Sequence, residues 1–354
     1  MNARIVLAAA LTAACASAQI TSPKGFLTTE GSTNHNYILF AKATMHWQAI
    51  DNTHVGGGAK VLNEAAWRRD GTAATNALWI ARTMTGWEMN MARADWGNLD
   101  HLDLSKNVIT GTYTQVVKPT TINAVDITAQ TTSPAPWTTV VKFDAPFVYD
   151  GTTSLMWEVK YTSNTVLQDY AFDFDYNGGS SAYSSGSGTT IGTSCTATGQ
   201  TSAISWSPSF RNYGSRFGIY WSSISYMPAT SPTFLWLDFS DPNLTIPGLC
   251  TAIHALPTIS VPLGVSSATG SLPATDLKIP YVASAIGASL YGQTWAVDLG
   301  MSPLPFVFSY GKKWTVPTDP TPVTVIRNYV YKNSPTGSDI TSGPWCGGII
   351  TRFQ

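Results

Sequence analysis

The stretch VVKFDAPFVYDGTTSLMWEVKYTSN, Val140 to Asn164, decides the fold class. Successive side chains of an extended chain point to opposite sides, so Leu155, Trp157, Val159 and Tyr161 share one face, with Met156, Glu158 and Lys160 on the other. Thr139, Val141 and Phe143 alternate in the same way against Val140, Lys142 and Asp144. Period-2 alternation over two adjacent segments predicts a pair of half-buried strands.

The same pattern recurs along the chain. Further strands are predicted at 122–128, 216–223, 234–239, 295–299, 305–309, 312–316 and 323–331, separated by loops of Gly, Pro, Asn and Ser. Ala59–Trp67 is rich in helix formers, but the Arg68-Arg69-Asp70-Gly71 that follows stops a long helix, and we assign it to a strand or a single turn. No repeat of 20–50 residues is visible. Gly178–Gly199 and Ser260–Pro273 are low-complexity stretches, and DPNLTIPGLCTAIHALPT (Asp241–Thr258) places a domain boundary after a strongly apolar strand. The expected architecture is all-β: two antiparallel β-sandwich, jelly-roll-like domains at 19–247 and 248–354.

Composition agrees with this. Charged residues make up 12% of the chain and aromatic residues another 12%, so the surface must be made polar by Thr, Ser, Asn and Gln. At the N-terminus Arg4 precedes the apolar run Ile5–Ala14 and then Ala16-Ser17-Ala18, the form of a cleaved secretory signal peptide at 1–18 with Gln19 as the new first residue. The alternative makes Cys15 a lipid-bearing residue. Cleavage removes Arg4 and no acid, which moves the formal charge from −1 to about −2. No basic face for nucleic acid is implied, and no apolar segment is long enough for a membrane span. The reading is a secreted or cell-surface protein.

The order of features MHWQAIDNTHV, VLNEAAWRRDG, TGWEMNMARAD and VVKFDAPFVYDGTTSLMWEVKYTSN resembles the N-terminal domain of secreted tandem β-sandwich proteins of planctomycete-type bacteria. In those, a Gln-containing strand precedes an aromatic-Arg-Arg-Asp-Gly turn. The second half is similar too, with Cys250, LYGQTWAVDLG and the hairpin PLPFVFSYGKKWTVP, although Tyr310 stands where that family commonly has Asn. The final segment, Pro317–Gln354, is longer than the resemblance implies. These are turn and core signatures, so they imply the fold and carry over no activity.

Cleavage would leave Cys195, Cys250 and Cys346, an odd number. Cys250 opens the second domain and Cys346 lies near its end, so a Cys250–Cys346 bridge is expected, with Cys195 left over in the Ser/Gly loop. A thiolate metal site is the poorer reading, because no C-x-x-C pair is present.

The chemical inventory is sparse. There is no G-x-S-x-G elbow, and the five histidines show no H-x-H or H-E-x-x-H spacing. His46 and His54 flank a turn-like segment that would let them meet. Gly56-Gly57-Gly58-Ala59-Lys60 lacks the first Gly and the Ser/Thr of a phosphate loop and reads as a flexible turn. In QDYAFDFDYNGG the aromatics Tyr170, Phe172, Phe174 and Tyr176 share one face, leaving Asp173 and Asp175 on the other. The ordinary reading is a solvated face; the alternative, including Asp169, is a calcium site at the strand end. Glu158 and Asp173 on neighbouring strands would make a glycosidase pair. Arg68 is expected to point outward and Arg69 to be half-buried against Asp70 or a carbonyl.

Thirteen tryptophans exceed what two sandwich cores need. Trp79, Trp157, Trp236 and Trp295 fit core positions. Trp96, Trp137, Trp206 and Trp345 stand in loop-like contexts and are the candidates for stacking on sugars. The function expected from this is a non-catalytic surface or matrix protein that binds polysaccharide or another cell-envelope component. The alternative is an extracellular polysaccharide hydrolase using Asp and Glu.

Overall fold

The computed structural model describes residues 19–35, 39–71, 79–96, 99–100, 102–168, 170–175, 184–212, 216–280, 283–316, 327–338 and 342–354. It is all-β, built of antiparallel strands with short 3-10 turns at Leu104–Asn107 and Ala283–Ala285. Among the described residues no helix is long and apolar enough to cross a membrane.

Two compact units are formed, Met1–Ala182 together with Thr324–Gln354, and Tyr183–Val323. The chain therefore changes unit at 182/183 and 323/324, not at 247/248. The reason lies in strand pairing. Arg327–Lys332 returns to pair with Met45–Asp51, and Thr351–Phe353 pairs with Lys60–Trp67, which draws the C-terminal residues back into the first unit.

In the first unit a seven-stranded sheet contains, in order, Ser342–Cys346, Arg327–Lys332, Met45–Asp51, Ser154–Tyr161, Arg82–Ala94 and Thr114–Ala124, with Ser163–Asn164 on Arg82–Ala94. A four-stranded sheet (Ile20–Ser22, Thr351–Phe353, Lys60–Trp67, Thr139–Tyr149) and a three-stranded one (Thr33–His35, Phe172–Asp175, Gly348–Ile349) complete it. Leu155, Trp157, Val159 and Tyr161 all point into the core, as alternation requires. Trp47 lies against Trp157 at 4.5 Å between ring centroids, and Trp67 meets Trp87 edge-on at 6.3 Å. Each fully buried large side chain contributes about 1.5–3 kcal/mol, so this aromatic group is a main source of stability.

The second unit has a six-stranded sheet centred on Ser289–Val297 and Pro232–Asp238, and a four-stranded sheet ending in Arg216–Trp221 and Thr275–Pro280. Trp206, Trp221 and Trp314 are buried between them with Leu235, Leu237 and Val307. Cys195 is bonded to Cys250, with Cα atoms 5.5 Å apart, and the bridge lies wholly within this unit. The expected Cys250–Cys346 bridge is thereby overturned. Cys346 falls in the first unit, and its side chain lies outside the described residues.

Candidate functional site: a polar cleft in the first unit

The inner face of the seven-stranded sheet is apolar; its second face is not. Register places Gln48 opposite Glu158 and Glu158 opposite Asn90, while His46, Lys160 and Glu88 form the next row. One row the other way, Ile50, Met156 and Ala92 make a small apolar cluster covered by Leu99, Trp96 and Val108. The connection from Arg82–Ala94 to Thr114–Ala124 thus folds back over the sheet. It is pinned there by Asn107, whose Nδ2 donates to Gln48 Oε1 at 2.9 Å, and Gln48 in turn donates to the Leu104 carbonyl at 3.2 Å.

Glu158 is the hub of the polar row, 2% exposed. Its Oε2 receives Gln48 Nε2 at 3.2 Å and stands 3.0 Å from His46 Nε2. Its Oε1 accepts from the Tyr113 hydroxyl, from Lys160 Nζ at 3.1 Å and from Asn90 Nδ2 at 3.4 Å. Burial pushes this carboxyl up, but the hydrogen bond and charge of His46, with Lys160 and Tyr113, outweigh it and hold the pKa down at about 2. Tyr113 is raised above the usual tyrosine range by burial and then by the charge of Glu158. Lys160 also reaches Glu88 at 3.4 Å.

These groups line an open cleft of about 330 Å³, with Tyr113, His46, Lys160 and Ser105 on its walls and Ser338 at its edge. Tyr113 is 45% exposed as a residue. Because an ionised carboxylate only accepts, His46 Nε2 donates to Glu158; Nδ1 is buried and has no hydrogen-bond partner among the described residues. The cleft therefore offers a cation held between two carboxylates and an exposed aromatic residue.

The residues singled out in the sequence fare differently. Asp173 and Asp175 are 0% and 7% exposed, so the solvated-face reading is overturned. Asp173 Oδ2 lies 2.6 Å from Nη2 and 2.7 Å from Nε of Arg68, and its Oδ1 accepts from Gly31 N at 2.8 Å. The cation beside Asp173 is thus a guanidinium, and among the described residues no group of three or more His, Cys, Asp or Glu is placed to hold a metal. Burial, only partly offset by Arg68, raises its pKa to about 7. Asp169 lies outside the described residues.

Arg68 is 1% exposed, against the expectation that it faces water, and it also donates to the carbonyls of Leu27 and Thr29. Arg69 does bond carbonyls, those of Ile127 and Thr128, at 3.1 and 2.6 Å, and lies 3.6 Å over the Trp79 ring. Glu158 and Asp173 are not neighbours across a ladder: their strands belong to different sheets. His46 and His54 do not share a site either, since His54 Nε2 bonds the Thr21 carbonyl at 2.8 Å.

The tryptophan surplus is mostly core. Trp206 is 0% exposed and packed between Trp221 and Trp314, which removes it as a contact for sugars. Trp137 is half-buried, with the guanidiniums of Arg68 and Arg352 at 4.6 and 5.6 Å from its ring. Trp96 is half-buried on the small apolar cluster. The side chain of Trp345 lies outside the described residues. Trp236 and Trp295 are half-buried in an aromatic group in which Phe234 stacks on Trp295 at 4.7 Å.

Tyr113, Lys160, Gln48 and Asn90 were not found from the sequence. The available signal was the pair of polar residues at matched positions in strands on either side of SLMWEVKY. Comparison with protein-family models, curated proteins and solved structures finds no match for the chain.

Proposed function

We propose that this is an exported, non-catalytic protein of two β-sandwich units that binds a neutral glycan, with the contact made in the cleft of Tyr113, His46 and Lys160. The observation that carries it is the state of Glu158. A glycosidase acid must hold a proton near neutrality, whereas this carboxyl is kept ionised and each of its oxygens is bonded to the protein. Such a group orients its neighbours and is not the acid of a glycosidase pair.

What it orients suits a sugar. Tyr113 offers a stacking face, and the Ser105 hydroxyl, which donates to Asp103 Oδ1, accepts from a sugar hydroxyl. Two carboxylates, Glu88 and Glu158, share one lysine, so an anionic ligand is disfavoured and a neutral, hydroxyl-rich one is accepted. Export is supported by the leader-like N-terminal sequence, and the resemblance to secreted tandem sandwich proteins points the same way.

The test is a pull-down of the mature protein against a panel of neutral and acidic polysaccharides, with reducing-sugar release assayed in the same tubes. Retention on a neutral polymer, weakened by Tyr113→Ala by roughly 0.5–1.5 kcal/mol, is expected, and it should survive moderate salt. Sugar release abolished by Glu158→Gln would make the protein a hydrolase and sink the reading. So would binding that is indifferent to Tyr113→Ala and His46→Ala.

A further inference from the structure

The second unit holds a cleft of a different kind, about 270 Å³ in volume, whose walls come from two sheets: Leu237, Ile259 and Val261 from one, Leu277 and Ile279 from the other. Ala285 closes one side. Among the described residues the one charged group on its margin, Lys278, alternates along its strand with Leu277 and Ile279, so the side chain points away from the space they enclose. At the mouth stand Phe239 and Ile259, 53% and 44% exposed.

We propose that this slot binds one hydrocarbon chain of roughly ten carbons, the tail of a single-chain amphiphile, a scale set by a benzene-binding apolar cavity of about 150 Å³. The inference is independent of the glycan reading. Size and charge choose the occupant. Facing sheets pack about 10 Å apart, so a gap between them where side chains fall short has room for one chain thickness and no more. A charged group inside would have no partner on these apolar walls, which leaves the head group in water outside Phe239. A chain lying there would also cover the two exposed apolar side chains at the mouth.

Calorimetric titration of the mature protein with sodium octanoate, decanoate and dodecanoate, each below its micelle threshold, tests this. Affinity should rise roughly fourfold per added methylene and level off near ten carbons, where the slot is full. Decyl maltoside should bind about as well as decanoate, because the head is outside. Ala285→Phe, which fills the slot, should weaken decanoate at least tenfold while thermal unfolding of the protein stays cooperative. If that variant does not fold, the plateau in chain length measured on the unaltered protein still decides. Absence of saturable binding would overturn the proposal. So would affinity that climbs without a plateau and is unchanged in the filled variant, which is adsorption to the surface. A concentration-dependent dimer that the filled variant abolishes, without decanoate binding, would overturn it too and assign the slot to a second copy of the chain.

Discussion

Replacing Asp173 by Asn separates two effects that the buried pair with Arg68 combines. Arg68 and Asp173 are 1% and 0% exposed, so the substitution leaves a guanidinium buried with the carbonyls of Leu27 and Thr29 and the face of Trp137 to compensate it. At pH 8, above the Asp173 pKa and with both charges present, breaking one side of the pair costs about 3–5 kcal/mol, and Arg68→Met should cost a similar amount for the mirror reason. The double variant Arg68→Met/Asp173→Leu removes both charges and should recover most of that loss, or exceed the parent by about 1–4 kcal/mol. The pH dependence has a definite sign. The folded-state pKa of Asp173 is raised from 3.8 to about 7, so the folded protein holds this proton more tightly than the unfolded chain. Its contribution is present in full below pH 3.8 and is lost as pH rises through 7, an amount of about 4 kcal/mol for a shift of that size. Urea unfolding of the protein at intervals from pH 4 to 8, read on the first unit's transition, should show this decline in the parent and not in Asp173→Asn. Single variants costing under about 1 kcal/mol, an additive double variant, or identical pH slopes would refute the reasoning.

Glu158 shifts the other way: its contribution is present above pH 4.5 and lost as pH falls through about 2, so in the same titration extended down to pH 2, Glu158→Gln should flatten the acid limb and leave the neutral limb alone. Non-reducing peptide mapping should recover Cys195 linked to Cys250, and Cys195→Ser/Cys250→Ser should lower the stability of the second unit by up to about 4 kcal/mol, the closure entropy for a separation of 55 residues. Gly31→Ala should destabilise the first unit by about 1–3 kcal/mol in thermal melts, because a Cβ there would lie 2.3 Å from the Phe174 carbonyl and 2.6 Å from Asp173 Oδ1. Trp206→Ala should cost about 3–5 kcal/mol, as a fully buried ring does, and Trp96→Ala clearly less.

The all-β class was legible because alternation is a local property. Leu155, Trp157, Val159 and Tyr161 point inward, and Lys60–Trp67 is a strand despite its helix formers. The division into units was not legible, because it depends on which distant strand Arg327–Lys332 chooses as partner, and nothing in its own residues names Met45–Asp51. Cysteine pairing was hidden for the same reason: four cysteines offer six possible pairs, and spacing alone does not select Cys195 with Cys250.

The site was hidden by a more specific failure, common to both acidic stretches. Alternation tells which residues share a face, and the inference that the polar face is wet adds an assumption that nothing covers it. In FDFD the cover comes from Arg68 and the Gly31 backbone; in MWEVK it comes from the turn at Leu104–Asn107 and from Tyr113. Both covers belong to segments remote in sequence. A polar residue under such a cover needs partners, and the partners are also polar residues placed at matching register: Gln48 and Asn90 flank Glu158 on the two adjacent strands. A strand whose polar positions line up with polar positions on both of its neighbours is therefore a better mark of a covered, organised face than of a solvated one. Glu158 satisfies that condition in this chain, and the open cleft lies directly above it.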